Sequence, residues 1–275
     1  MLEQLSYMNH LGETFEFGKD GVFVNSNELH DYEWEVTTRG NRIASLGYTV
    51  STRSLPVIIL CETEDEGIKK RNKILEVMEK DVLSMQHGRF IVGDYYFRCF
   101  VTKSQKANYL TSKQWLEVTL TLTSDFPFWV KETEFSFEDN GLEDRTGKNL
   151  DYDHDLPYDF HNELAGNWIV NTGFSDTNFR MVIHGVCSNP SVFVNGHEYR
   201  VNCNVGIRET LTIDSVSKKV YKTSRTGIVT NVFNLRNKTS YIFQKIPHGN
   251  NRVSWEGNFG VDIILLEERS EPKWT

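Results

Sequence analysis

The sequence predicts a mainly β chain, and three observations carry that expectation. Short apolar runs of strand length alternate with turn residues along most of the chain. Only one segment has apolar residues at helical spacing. The composition also shifts abruptly near the middle, as at a domain junction. The expectation is an N-terminal β-sandwich-like domain with one amphipathic helix, followed by a C-terminal sandwich or jelly-roll.

In the first half the runs are TFEF, GVFVN, LHDYEWEV, LPVIILC, RFIV, YYFRCFV and WLEVTLTLT. Gly93-Asp94 between RFIV and YYFRCFV suits a tight hairpin turn. The exception follows LPVIILCE. In TEDEGIKKRNKILEVMEKDVL, Thr63 and Glu66 form a capping-box pattern, and Ile68, Leu75, Met78 and Val82 recur on one helical face. The acidic first turn Glu64-Asp65-Glu66 suits the positive end of the helix dipole. In the second half, Asn195-Gly196 within NPSVFVNGHEYRVN fits a type I′ turn. ETLTIDSVSKKVYK reads as another hairpin, and NRVSWEGNFGVDIILLEERSEP as two closing strands.

Charge divides the 275 residues further. The net charge of −8 splits into −5 for residues 1–137, −6 for residues 138–160 and +3 for residues 161–275. The predicted domains are therefore 1–137 and 161–275, joined by the acidic junction 138–160. In its DYDHDLPYDF, a strand's period of two puts Tyr152, His154, Leu156, Tyr158 and Phe160 on one face and Asp151, Asp153, Asp155, Pro157 and Asp159 on the other. That pattern reads as an edge strand opening the second domain, with Pro157 and the aspartates discouraging unwanted pairing.

The same segment fails as a metal site. A calcium loop would want glycine at its sixth position and a bidentate glutamate at its twelfth, where Leu156 and Asn162 stand. The eight histidines lack zinc spacing, and Cys61, Cys99, Cys187 and Cys203 form no CxxC pair, so free thiols are expected. There is no nucleophile elbow, phosphate loop or dinucleotide fingerprint. The expectation is a non-enzymatic protein with no cofactor, no metal and no catalytic residue. The acidic balance argues against duplex DNA as main partner, because backbone binding needs a basic footprint. No run has the length of a membrane span and the first residues lack the order of a signal peptide, so cytoplasmic synthesis without membrane insertion is expected. Aromatics, at 12%, are assigned chiefly to cores and subunit contacts; Trp168, Trp255 and Trp274 are the candidates for stacking on sugar rings, the carbohydrate-binding alternative.

Five stretches taken in order, GETFEFGKDGVFVNSNELHDYEWEV, LPVIILCETEDEG with its helix, LTLTSDFPFWVKE, LTIDSVSKKVYK and LLEERSEPKW, resemble the distal tail protein (Dit) family of siphophages and related prophage or tailocin particles. The resemblance spans nearly the whole chain. It implies a ring at the distal end of the tail tube, usually a hexamer, alone or as stacked rings. The N-terminal sandwich with its helix and a protruding hairpin would build the ring, and a galectin-like C-terminal sandwich would project from it. The implied partners are further copies of the chain, the tail-tube protein, the tail-associated lysin and a receptor-binding protein, with DNA only passing through the lumen. The implied location is the virion tail tip. Within the hairpin 89–103, Phe90, Ile91, Tyr95, Tyr96, Phe97 and Phe100 are the expected subunit interface, because a ring closes exposed sheet edges and buries apolar surface.

Overall fold

The computed structural model describes residues 5–25, 27–106, 115–138 and 167–273. They form two compact units, Met1–Lys131 with Glu268–Thr275, and Glu132–Glu267. The chain thus leaves the first unit six residues before the expected boundary at 137 and returns to it at its end. Residues 139–160 of the acidic junction, DYDHDLPYDF among them, lie outside the described residues.

The first unit contains β1 (Leu5–Met8), β2 (Thr14–Glu16), β3 (Val22–Val24), β4 (Glu35–Arg39), β5 (Arg42–Gly47), β6 (Ser51–Leu60), α1 (Glu64–Ser84), β7 (Gly88–Val92), β8 (Tyr95–Lys106), β9 (Trp115–Ser124) and the start of β10 (Trp129–Phe137). Two antiparallel ladders, β2-β1-β7-β8-β10 and β3-β6-β9-β8, share β8. Its first residues pair with β7 and β10, and Phe100–Lys106 pair with β9 across a bulge between Val101 and Lys103. A bulge turns a strand, which is how one strand serves two ladders. Strict alternation does the rest: in β6 the buried apolar residues are Leu55, Val57 and Ile59, and in β9 Leu116, Val118, Leu120 and Leu122. They meet Tyr7, Phe90, Phe97, Cys99 and Trp129 in one core. Each such apolar side chain contributes about 1.5–3 kcal/mol on burial.

The helix begins where the capping box puts it. Thr63 Oγ1 accepts from the Glu66 amide at 3.3 Å, while Glu66 reaches back to the Glu62 amide at 2.9 Å, one residue before the cap. Its inward face differs from the expected one. Gly67, Ile74, Val77, Met78 and Asp81 are buried, whereas Ile68, Leu75 and Val82 are only half-buried. The reason is close approach at one end and polar partners at the other. A Cβ on Gly67 would stand 2.9 Å from Cys61 Sγ and 3.1 Å from a Leu116 methyl. The fully buried Asp81 accepts from the Tyr7 hydroxyl at 2.5 Å and from the His10 amide at 2.8 Å, and its Oδ1 lies 2.5 Å from His10 Nδ1. A buried carboxylate is tolerated when its lone pairs are met in this way.

The second unit adds to the end of β10 the strands β11 (Trp168–Asn171), β12 (Asn178–His184), β13 (Cys187–Ser188), β14 (Ser191–Val194), β15 (His197–Arg200), β16 (Asn204–Val205), β17 (Thr210–Asp214), β18 (Lys219–Thr223), β19 (Val229–Asn231), β20 (Gly249–Trp255) and β21 (Val261–Arg269). One ladder runs β19-β18-β17-β12-β21-β10 and a second runs β11-β20-β14-β15, with β13-β16 as a short separate pair. Ile169, Phe179, Met181, Ile183, Val192, Val194, Leu211, Ile213, Val253 and Ile263 meet in one core between them. The expected turns stand. Asn195 and Gly196, at φ 50° and 81°, join Val194 to His197. Ser215–Lys218 joins β17 to β18, with Asp214 Oδ1 accepting from the Val216 and Ser217 amides. The fold is mainly β, with α1 as its α-helix among the described residues.

Candidate interaction surface

Strands β4 and β5 pair with each other and with no other described strand. Every residue from Asp31 to Leu46 is exposed, so this hairpin has no core beneath it. Its pattern explains why. Val36 faces Leu46 and Thr38 faces Ile43, which gives one largely apolar side, and the two-residue turn Gly40-Asn41 brings Arg39 opposite Arg42 at the tip. An isolated two-stranded hairpin is marginal in water. Here the apolar side, with Val36, Ile43 and Leu46, is left uncovered.

At the hairpin's base lies a cleft of about 520 Å³, walled by segments 31–35 and 48–53 and by Pro127 and Phe128. Two sets of residues define it. Trp34, Tyr48 and Phe128 form an aromatic wall, with Tyr48 edge-on to Phe128 at 4.8 Å and Trp34 at 5.8 Å from the same ring. Phe126 extends the cluster, 5.3 Å from Phe128, under the Arg98 guanidinium at 4.8 Å. Glu28, Asp31, Glu33 and Glu35 make the rim acidic.

Arg53 holds the two walls together. It is 4% exposed, donates to the carbonyls of Leu29 and Pro127, and lies 4.2 Å over the Phe97 ring. Burial lowers its pKa to about 10, so it remains a cation at neutral pH. The strand expected over LHDYEWEV is confined to its last two residues, where β4 begins. The rest is a loop, anchored by Leu29, which is buried and whose amide bonds the Asn27 side chain. Alternation suggested a strand there, but these side chains line a cleft.

The six residues expected at the subunit interface divide between two sides of their hairpin. Phe90, Tyr95 and Phe97 point into the first unit's own core. Ile91, Tyr96 and Phe100 are half-buried on the other side, Tyr96 beneath the Arg89 guanidinium at 4.5 Å and Phe100 against His87 at 4.4 Å. Among the described residues, Trp168 and Trp255 do not share a face. Trp168 is 48% exposed, Trp255 donates to the Phe259 carbonyl at 2.9 Å and packs on Phe137, and Trp274 lies outside the described residues. Among the described residues no group of three or more His, Cys, Asp or Glu is placed to hold a metal ion, and no helix is long and apolar enough to cross a membrane. The aromatic wall and the β4–β5 hairpin went unassigned in the sequence, although Gly40-Asn41 between VTTR and RIASL is a hairpin signal.

No family model and no curated protein sequence matches this chain. Solved structures do. The crystal structure of SPP1 Dit (gp 19.1), described as a paradigm of the hub adsorption apparatus in phages infecting Gram-positive bacteria, aligns with a TM-score of 0.59 at 11% identity, covering 96% of this chain and 99% of that one. A chain of the phage P2 baseplate in its activated conformation with Ca aligns at 0.66 and 10% identity, covering 99% of this chain and 100% of that one. The same baseplate with Sr gives 0.65, at the same identity and coverage. End to end, through both units, the chain has the fold shared by SPP1 Dit and the phage P2 baseplate protein.

Proposed function

We propose that this protein is the structural hub of a phage-type tail tip: a non-enzymatic ring component, hexameric by analogy with the family it resembles. It joins the tail tube to the tail-associated lysin or baseplate and to receptor-binding components, and DNA passes through the lumen. The observation that carries this reading is the extent of the fold match, 96–99% of this chain and 99–100% of the hub and baseplate chains. A chain that differs at nine of ten positions keeps both units and adds little else. The second unit, with two facing antiparallel ladders around one core, suits the projecting galectin-like role. The first unit supplies unpaired surface for ring closure in its β4–β5 hairpin.

Immunogold electron microscopy of tailed particles released by the host, using antibodies against the full chain, tests the proposal. Label at the distal end of the tail is expected. Label on the capsid or confined to free protein would overturn it. The carbohydrate-binding alternative has one exposed tryptophan, Trp168, in its favour, and no row of rings accompanies it among the described residues.

A further inference from the structure

We propose that Cys187 and Cys203 are a latent disulfide, two thiols set across the β13–β16 ladder so that a low-molecular-weight disulfide converts them to a cross-link in the folded chain. The site lies wholly in the second unit and is independent of the hub reading.

The register places the pair. Cys187 stands opposite Val205 and Ser188 opposite Asn204, and the Asn189 amide donates to the Cys203 carbonyl at 2.9 Å. Alternation along a strand therefore sends Cys187, Val205 and Cys203 to one face and Ser188 and Asn204 to the other. The outer pair is joined, Ser188 Oγ donating to Asn204 Oδ1 at 2.8 Å. The inner residues pack on the second core, Cys187 and Val205 buried and Cys203 half-buried. Cys61 and Cys99 belong to the other unit.

Diagonal neighbours in a regular antiparallel ladder have Cα atoms about 7–8 Å apart, just beyond the roughly 6.8 Å that a disulfide spans. This ladder bends at the pair itself. Asn189 is left-handed, at φ 51°, and the Cys203 amide donates to the Val201 carbonyl two residues back at 3.0 Å. Each strand is two residues long and pairs with no other described strand. Closing it by about 1 Å thus breaks no other ladder.

Burial raises the Cys187 thiol to about 11, with Cys203 adding to the effect. Burial also raises Cys203, which the Lys222 ammonium draws partly back. Cys203, the more exposed, attacks first. Its thiolate takes one sulfur of the small disulfide and expels a small thiolate, leaving a mixed disulfide. The Cys187 thiolate then attacks Cys203 Sγ and expels the second small thiolate. The two protons lost by the cysteines pass to the two released thiolates, so two protein thiols are oxidised as one small disulfide is reduced. In a reducing cytoplasm the pair stays as thiols, and it closes in the oxidising medium outside a cell.

Thiol mapping of the full chain tests this. The reduced, folded protein is incubated with oxidised glutathione, its remaining thiols are blocked with N-ethylmaleimide in denaturant, and the peptides are mapped by mass spectrometry. The expected result is loss of two of the four thiols, a mass lower by two hydrogen atoms, and one cross-linked peptide joining Cys187 to Cys203, with Cys61 and Cys99 recovered as maleimide adducts. The same treatment in guanidinium is expected to yield glutathione adducts and mixed pairings in its place. Recovery of all four thiols, a glutathione adduct that stops on Cys203, or a cross-link between other cysteines overturns the proposal. So does a Cys187–Cys203 yield as high in guanidinium as in the folded chain, since the fold would then contribute nothing to the pairing.

Discussion

Tyr48 stands edge-on to Phe128, ring centroids 4.8 Å apart and planes at 85°, at a place where both rings meet solvent. Edge-to-face packing satisfies the rings' quadrupoles, so the wall is ordered before anything docks on it. Pre-ordered aromatic surface is the usual anchor of an interface, because little side-chain freedom remains to be lost on binding.

Replacing Trp34 by Ala should therefore separate assembly from folding. The residue is 41% exposed and belongs to the cleft wall, so urea unfolding should shift by less than about 1 kcal/mol. Self-association should weaken by about tenfold or more, as for an interface anchor. Concentration-dependent native mass spectrometry checks the second quantity. An unchanged assembly would remove Trp34 from the interface.

Asp81 should show a large stability effect. Asp81→Ala strands the buried Tyr7 hydroxyl and takes the acceptor from the half-buried His10 groups, and a loss of about 3 kcal/mol is expected in chemical denaturation. Tyr7→Phe removes one donor and keeps the ring against Phe90, so a smaller loss, about 1–2 kcal/mol, is expected. If the two variants lose equal amounts, the carboxylate's other partners contribute nothing.

Gly67→Ala reverses the ordinary preference for alanine in a helix. In an open helix it would stabilise by up to about 1 kcal/mol. Here the added methyl meets Cys61 Sγ and Leu116, and a net loss of about 1–3 kcal/mol is expected from overpacking. A thermal melt decides the sign. A higher melting temperature would mean that α1 moves outward freely.

Acid should destabilise the first unit partly through His87. Burial lowers its pKa, more than the pull of Asp125 at 3.0 Å raises it, and the Arg98 charge acts in the same direction as burial. The folded value lies below the ordinary 6.5, so above that value neither state binds the proton and the contribution is fully present. As pH falls from 6.5 toward the folded value, the unfolded chain takes up a proton that the folded chain refuses, and stability is lost. Unfolding free energies at about pH 7.5 and pH 5 should differ less in His87→Gln than in wild type, while an equal pH slope in both would assign the acid sensitivity to other groups.

Local signals in the chain determined much of this fold. Thr63 and Glu66 start α1, Gly93-Asp94 and Asn195-Gly196 close their hairpins, and Asp214 caps the β17–β18 loop, because each needs only neighbouring backbone groups to act. Composition and alternation likewise sufficed for the mainly β class. The tertiary structure alone decided which side of an element faces inward when a long-range partner overrides hydropathy. Asp81 is buried because Tyr7 and His10 come to it from more than 70 residues away, and Gly67 because Leu116 needs the space. Phe90 and Phe97 lie in their own unit's core, while Ile91, the next residue of β7, points to the other side of the ladder. The aromatic wall formed in the same way: Trp34, Tyr48 and Phe128 are far apart in sequence, and Arg53 draws their loops together by binding the carbonyls of Leu29 and Pro127. Pairing across such distances depends on how the whole chain closes its loops, which neighbouring residues do not encode.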